Sequence, residues 1–166
     1  GHCLDRFEGT GAGVNERIAA MASLLEPGTH TQTWSGAESE SLWHVVRDAV
    51  PVAHCPVILK LSLPPALTPT VTGMLAQREL NTWYLDAAGA WLWIGTEVDG
   101  SAELVQTLRT RGRNAAAVVI MRAPEESKSA AGVLTPPPPA LAALMRRLKQ
   151  SFDPLSLFNP GRLYPT

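Results

Sequence analysis

The clearest alternation of hydrophobic and polar residues runs through residues 57–63. Successive residues of a strand point to opposite faces of a sheet, so this segment predicts a half-buried β-strand. One side carries apolar residues at every second position: Val57, Leu59, Leu61 and Leu63. The other side carries Ile58, Lys60 and Ser62. Pro64-Pro65 ends the strand, because proline cannot donate a hydrogen bond to a neighbouring strand.

Four further segments have the composition of strands, namely residues 3–9, 80–86, 90–98 and 115–121. The two in the middle are joined by Ala87-Ala88-Gly89, which predicts a hairpin. Residues 115–121 are apolar almost throughout, so we expect that strand to be buried on both faces.

Helical spacing of apolar residues separates these strands. A first helix is predicted over residues 14–25, ended by Pro27-Gly28. The next three helices are predicted from residues that cap helix N-termini: Ser35, which forms a capping box with Glu38, Thr68 before Pro69, and Ser101. The helix that starts at Ser101 is expected to close at Gly112.

The last helix follows a loop over residues 123–139, which ends in four successive prolines and is predicted to be extended. Its buried stripe is predicted from the helical spacing of Leu141, Leu144, Met145 and Leu148. From residue 57 the order strand, helix, strand, strand, helix, strand is that of a ferredoxin-like fold. We therefore predict one α+β domain over residues 1–166, a ferredoxin-like antiparallel sheet with helices mainly on one face.

Composition excludes several classes of protein. Apolar residues make up 45% and charged residues 17%, as in an ordinary globular domain, and the net charge of −1 gives no attraction to nucleic acid. The hydrophobic runs are too short for membrane insertion. Cys3 and Cys55 are expected to be reduced thiols of a cytoplasmic protein, and no Cys/His set has metal-ligand spacing. The glycines at residues 9–13 lack dinucleotide-binding spacing and predict a tight turn.

The tail carries the most specific pattern. Residues 148–165 read LKQSFDPLSLFNPGRLYP, in which a helix runs into FDP and then FNPGR. This string resembles the C-terminal signature of FAD-linked oxidases of the vanillyl-alcohol-oxidase type. On local physics alone, Asp153-Pro154 ends the helix and Asn159-Pro160-Gly161 forms a turn, and a tail fixed only for stability is then the preferred interpretation. The length of the full string favours the family instead.

Other stretches resemble the FAD-binding subunit of bacterial glycolate oxidase in the same order along the chain. They are residues 4–9 (LDRFEG), 42–48 (LWHVVRD), 58–65 (ILKLSLPP) and 85–93 (LDAAGAWLW). The chain departs from that pattern where Ala87-Ala88 replaces Trp-Gly, where Trp91-Leu92 replaces Gln-Arg, and where Asn114 lies near an expected histidine. If the family residues at these positions contact the substrate, the departures bear on the activity or specificity of this chain.

The resemblance implies the oxidation of a 2-hydroxy acid, glycolate to glyoxylate, with hydride passing to FAD. Such a site requires a cation for the substrate carboxylate and a proton acceptor for its hydroxyl. As catalytic residues we predict Lys60, Arg47 and Arg122, and as contacts of the cofactor Asn159, Arg162 and Ser62. For Lys60 and Ser62 the alternative is an ordinary solvent-facing strand side. The five tryptophans are interpreted as core and sheet packing.

The resemblance also implies that the N-terminal FAD-binding domain is absent from this chain. Alone, the chain is therefore expected to bind FAD weakly and to be inactive. Its expected partners are a 2-hydroxy acid, a second flavin subunit and an iron-sulfur subunit of glycolate oxidase. Three alternatives remain: a non-catalytic ferredoxin-like binding or regulatory module, a scaffold subunit, and a related flavoenzyme such as a D-lactate dehydrogenase or an alditol oxidase.

Overall fold

The computed structural model describes residues 3–111 and 116–160, which fall into two units with a division between Ser39 and Glu40. In the first unit, α1 (Gly11–Leu24) begins after Thr10, whose hydroxyl accepts the Gly13 N–H at 3.4 Å. The predicted strand over residues 3–9 is wrong, since this segment has no partner strand in the described chain and leads directly into α1. The helix α2 (Gly36–Arg47) spans the division.

The second unit contains a four-stranded antiparallel sheet in the order β2-β3-β1-β4. Its strands are β1 (Val57–Ser62), β2 (Trp83–Asp86), β3 (Trp91–Thr96) and β4 (Ala117–Arg122). Its helices are α3 (Thr68–Gln77), α4 (Ser101–Arg111), α5 (Glu125–Ala131) and α6 (Pro139–Phe152). This confirms the α+β prediction, and the strand order is that of a ferredoxin-like sheet.

The core lies between one face of the sheet and the helices α3 and α4. The apolar alternation of β1 predicted its sheet side correctly, because Leu59 and Leu61 are fully buried. The residues that meet them include Leu75 of α3, Leu104 of α4 and Val118 of β4. Burying such side chains is the main favourable contribution to folding, so the opposite face of the sheet remains free to carry polar and aromatic groups.

Three predictions in the second half of the chain are wrong. The predicted buried stripe of α6 is exposed, since this helix has no buried residue. β4 is buried on one face only: Val118 and Ile120 are buried, whereas Met121 is 52% exposed, because the helices that cover the sheet pack on a single side. The predicted loop over residues 123–139 contains α5. This helix is held by tertiary contacts, since the guanidinium of Arg109 donates to the carbonyl oxygens of Ala131 and Gly132 at its end.

The β2–β3 hairpin has an unusual turn over Ala87–Gly89, a single 3-10 turn in which Ala87 and Ala88 both have positive φ (50° and 53°). The left-handed region disfavours residues with a Cβ, so this turn is strained. Two side chains hold it: Asp86 Oδ1 accepts the Ala87 N–H at 2.6 Å, and the Thr68 hydroxyl donates to Gly89 O at 2.8 Å. Thr68 was predicted to cap α3; instead it is the first residue of that helix and supports the hairpin.

Candidate functional site

The sheet face opposite the core carries an aromatic face, which we define as Tyr84, Trp91 and Trp93 together with Lys60. Directly opposed residues of antiparallel strands project to the same side. Lys60 of β1 lies opposite Trp93 of β3, which lies opposite Tyr84 of β2. One pair further along, Ser62, Trp91 and Asp86 form a second row across the same three strands. The strand pattern thus brings one cation, one carboxylate and three rings to a single surface.

Lys60 is held by the two indoles. Its ammonium nitrogen lies 3.5 Å from the Trp91 ring centroid and 5.0 Å from that of Trp93. A cation over an indole face is attracted by the quadrupole of the ring. Within residues 3–111 and 116–160, no carboxylate lies within ion-pair distance of Lys60. The side chain is half-buried, so its charge is positioned and remains available to an anion.

Tyr84 closes the other side of the aromatic face. Its ring is parallel to that of Trp93, with centroids 6.1 Å apart, and its hydroxyl donates to the Val46 carbonyl at 3.1 Å. Burial, with a smaller contribution from Asp86, raises the pKa of Tyr84 to about 12. The tyrosine is therefore neutral at ordinary pH and acts as a donor. The Trp93 indole nitrogen is buried without an acceptor among the described residues.

The predicted cations differ in their surroundings. Arg47, the last residue of α2, is exposed and pairs with its neighbour Asp48, with Nε 2.7 Å from Oδ1. That hydrogen bond raises the pKa of Arg47 and lowers the pKa of Asp48. Arg122, at the end of β4, lies opposite Ile58 beyond a bulge and donates to the Ala53 carbonyl at 2.7 Å. Both guanidinium groups thus already bind an oxygen of the protein, whereas the contacts found for Lys60 among the described residues are with indole rings. The catalytic roles of all three residues remain predictions.

Ser62 is exposed at the end of β1 and shares the face of Lys60, as the alternation predicted. Asn159 lies in the tail with a positive φ of 47°, a conformation that asparagine adopts more readily than most residues. Arg162 and Asn114 lie outside the described residues. The cofactor contacts assigned to Ser62, Asn159 and Arg162 therefore remain predictions.

The tail is organised by the buried carboxylate of Asp153. It accepts the Lys149 ammonium at 2.6 Å and the backbone N–H groups of Leu157 and Phe158 at 2.9 and 3.0 Å. The hydrogen bond from Lys149 is the largest cause of the lowered pKa of Asp153. Lys149 also donates to the Phe158 carbonyl at 3.0 Å. The segment after α6 is therefore a defined turn.

The sequence interpretation missed the aromatic face, because it assigned the tryptophans to packing. Trp83 does pack against the core, but Trp91 and Trp93 lie on the other side of the sheet, and Trp91 is 40% exposed. The signal was present: the two tryptophans are two residues apart in one strand, and the hairpin register places Tyr84 beside them. Aligning the hairpin residue by residue would have shown this surface.

Two searches of the described residues bear on other classes of site. They contain no group of three or more His, Cys, Asp or Glu residues placed to hold a metal ion. None of their helices combines the length and apolar character needed to cross a membrane.

Comparison with known families gives one match. The family model for the C-terminal domain of FAD-linked oxidases matches residues 137–163, which include α6 and the tail turn. The match covers a small part of the 166-residue chain, so the likeness to that family is shown for this stretch alone. No curated protein and no solved structure matches the chain. The family suggests a domain of a flavoenzyme that uses FAD.

Proposed function

We propose that this chain is the substrate-side domain of an FAD-dependent oxidoreductase that oxidises a 2-hydroxy acid, with glycolate as the first candidate. FAD would accept the hydride when it is bound. The family match supports the flavoenzyme class, and the resemblance of the strand and hairpin stretches to a glycolate oxidase subunit supports the substrate class. The proposal extends to the complete protein, in which the pyrophosphate of FAD would be held by other sequence.

The observation that carries the proposal is the Lys60 ammonium over Trp91. A 2-hydroxy acid offers a carboxylate, which a positioned cation binds by a charge-assisted hydrogen bond. The neighbouring rings present a flat apolar surface, and such a surface fits the planar ring of a flavin better than it fits a metal or a phosphate group. Ser62 and Asp86 flank Trp91 on either side, so both are placed near a ligand bound at Lys60.

Each residue has a separate task in this proposal. Lys60 binds and orients the carboxylate, and Trp91 fixes the direction of the Lys60 side chain. Asp86 would accept the hydroxyl proton most readily through Oδ2, because Oδ1 already accepts the Ala87 N–H. Tyr84, with its pKa of about 12, contributes shape and holds the end of α2 beside β2. No proton transfer is assigned to Tyr84.

The test is the kinetics of Lys60→Met in the complete enzyme. A hydrogen bond to a charged group contributes about 1.5–3 kcal/mol, so KM for glycolate or D-lactate should rise by roughly 10–150-fold. Turnover of a primary alcohol without a carboxylate should change little. The matched control is Lys128→Met, since Lys128 of α5 pairs with Glu125 on the surface. An unchanged KM in Lys60→Met would reject the carboxylate site.

A further inference from the structure

The turn between β2 and β3 is bounded on each side by a residue of the candidate site. Asp86 precedes Ala87–Gly89, and Trp91 begins β3 shortly after it. Ala87 and Ala88 both have positive φ, a conformation that disfavours residues with a Cβ. Strained backbone of this kind persists only where the surrounding structure imposes it, so the contacts that hold this turn bear on the geometry of the site.

One of these contacts comes from a buried side chain of another element. Thr68, the first residue of α3, is 8% exposed, and its hydroxyl donates to Gly89 O at 2.8 Å. The two residues are 21 positions apart in the chain. α3 is itself anchored in the core through Val71 and Leu75, so the hydroxyl projects from a firmly packed helix. Thr68 therefore attaches the turn to the core.

The Thr68 hydroxyl serves the hairpin and not its own helix. A hydroxyl has a single hydrogen to donate, and that of Thr68 goes out of α3 to Gly89 O. Thr72, one turn further along, shows the ordinary arrangement, since its hydroxyl donates within the helix to Thr68 O at 3.0 Å. Packing alone would be satisfied by a valine at position 68. The hydroxyl is explained by the turn that it holds.

The attachment also determines where the Trp91 backbone begins. The Leu63 N–H donates to Ala90 O at 3.0 Å, so the successive carbonyl groups of Gly89 and Ala90 are held by α3 and by the chain just after β1. Trp91 comes next and is 40% exposed, so side-chain packing restrains its ring only in part. The direction of the ring toward the Lys60 ammonium, 3.5 Å from its centroid, therefore depends on the backbone of the turn.

We propose that Thr68 is a positioning residue of the candidate site, which holds the strained turn so that Asp86 and Trp91 keep their places. This inference rests on the proposed function. Lys60 lies within β1 and is paired with a strand on either side, so its backbone is fixed without the turn. Loss of the Thr68 hydroxyl should therefore displace Asp86, the proposed proton acceptor, more than the cation that binds the carboxylate.

The test compares variants of the complete enzyme with glycolate as substrate. Thr68→Val removes the hydroxyl and keeps the shape of the side chain, whereas Thr68→Ser keeps the hydroxyl. The matched control is Thr72→Val, which removes a hydroxyl that donates inside α3. Turnover is expressed per folded, flavin-loaded molecule at a temperature at which every variant is folded. A threonine that only stabilises the fold would then leave kcat unchanged.

We expect Thr68→Val to lower kcat by about 10–100-fold and to change KM by less than about threefold, because a displacement of about 1 Å in a reacting group costs up to roughly 100-fold in rate. Thr68→Ser and Thr72→Val should keep the native kcat. The proposal is overturned if Thr68→Val keeps the native kcat, if its loss lies in KM alone, or if either of the other two variants shows the same loss. Should Thr68→Val fail to fold, Thr68→Ala removes the same hydroxyl and has to give the same result.

A second readout needs no substrate. In the complete enzyme labelled with 5-fluorotryptophan, the fluorine signal of Trp91 is assigned by its disappearance in Trp91→Phe. Thr68→Val should shift this signal and Thr68→Ser should not, while the signal of Trp43 in α2, outside the hairpin, serves as the reference. A Trp91 signal that stays in place in Thr68→Val would overturn the positioning role.

The two proposals fail separately. An enzyme that does not oxidise a 2-hydroxy acid, but whose Trp91 signal moves in Thr68→Val and not in Thr68→Ser, rejects the proposed substrate and keeps the positioning of the turn. An enzyme whose KM for glycolate depends on Lys60, but whose kcat and fluorine signal are unaffected by Thr68→Val, rejects the positioning role alone.

Discussion

The contact between Lys60 and Trp91 can be measured as a coupling free energy, independently of any substrate. Lys60→Met keeps the apolar part of the side chain and removes the charge, while Trp91→Leu removes the ring. The ammonium lies 3.5 Å from the ring centroid, and one side of Trp91 remains exposed to solvent. A cation over an exposed indole contributes about 0.5–1 kcal/mol, so we expect the two substitutions to be coupled by that amount.

The assay is urea unfolding of the two single variants and the double variant, followed by far-UV circular dichroism because substitution of tryptophan alters fluorescence. A second cycle with Trp93→Leu is the internal comparison. Its coupling should be smaller, because the ammonium lies 5.0 Å from that ring. The reasoning is refuted if the Trp91 cycle is additive within about 0.3 kcal/mol, or if Trp93 shows the larger coupling. In either case Lys60 would not be positioned by Trp91.

Three further predictions concern the fold. Gly95→Ala would place a Cβ 2.4 Å from Cys55 Sγ, so urea unfolding should show a free energy of unfolding lowered by about 1–3 kcal/mol. Adding Cys55→Ala to this variant should recover part of the loss. If the effects of the two substitutions simply add, the predicted clash is contradicted. Ala88→Gly should raise the free energy of unfolding by about 0.5–1 kcal/mol, because glycine adopts the left-handed conformation of this position without strain, and this gain outweighs the larger entropy of the unfolded chain. A lower free energy of unfolding would contradict the proposed strain. The pKa of Asp153 is lowered in the fold, so the ionised carboxylate stabilises the fold above the unfolded pKa, and this stabilisation is lost as pH falls through the folded pKa. Thermal unfolding between about pH 5 and 2 should show the loss of stability in the native chain and not in Asp153→Asn. Parallel profiles of the two proteins would contradict this prediction.

The parts of the fold that followed from sequence are those specified locally. The alternation of β1 and the short Ala87–Gly89 connection each depend on neighbouring residues. Together with the helices predicted between the strands, they indicated the order of elements typical of a ferredoxin-like fold, and the sheet has the strand order of that fold. The parts that did not follow depend on distant residues. The helix α5 requires Arg109 from α4, and the exposure of β4 depends on which side of the sheet the helices cover. A period-2 or period-3.6 pattern contains neither piece of information.

The candidate site shows the same division. The alternation alone placed Lys60 and Ser62 on one face. The register between β1 and β3 was needed to show that Trp91 and Trp93 share this face. The whole fold was needed to show that Lys60 has no carboxylate partner in the described chain. For Arg47 the fold weakened the sequence interpretation. Its cationic side chain suggested a site, but the adjacent Asp48 forms an ion pair with it on the surface.

The structure also separates what the tail motif says about fold from what it says about chemistry. Among the described residues of the matched stretch, Asp153 is the buried polar group, and its two oxygens accept hydrogen bonds from Lys149 and from the N–H groups of Leu157 and Phe158. Because this carboxylate is buried and already accepts three hydrogen bonds, its role in the structure is to hold the turn. The FDP pattern therefore specifies how α6 ends and how the turn after it is held. Evidence for the chemistry has to come from elsewhere in the chain, and the available cation on the aromatic face, Lys60, is where it should be sought first.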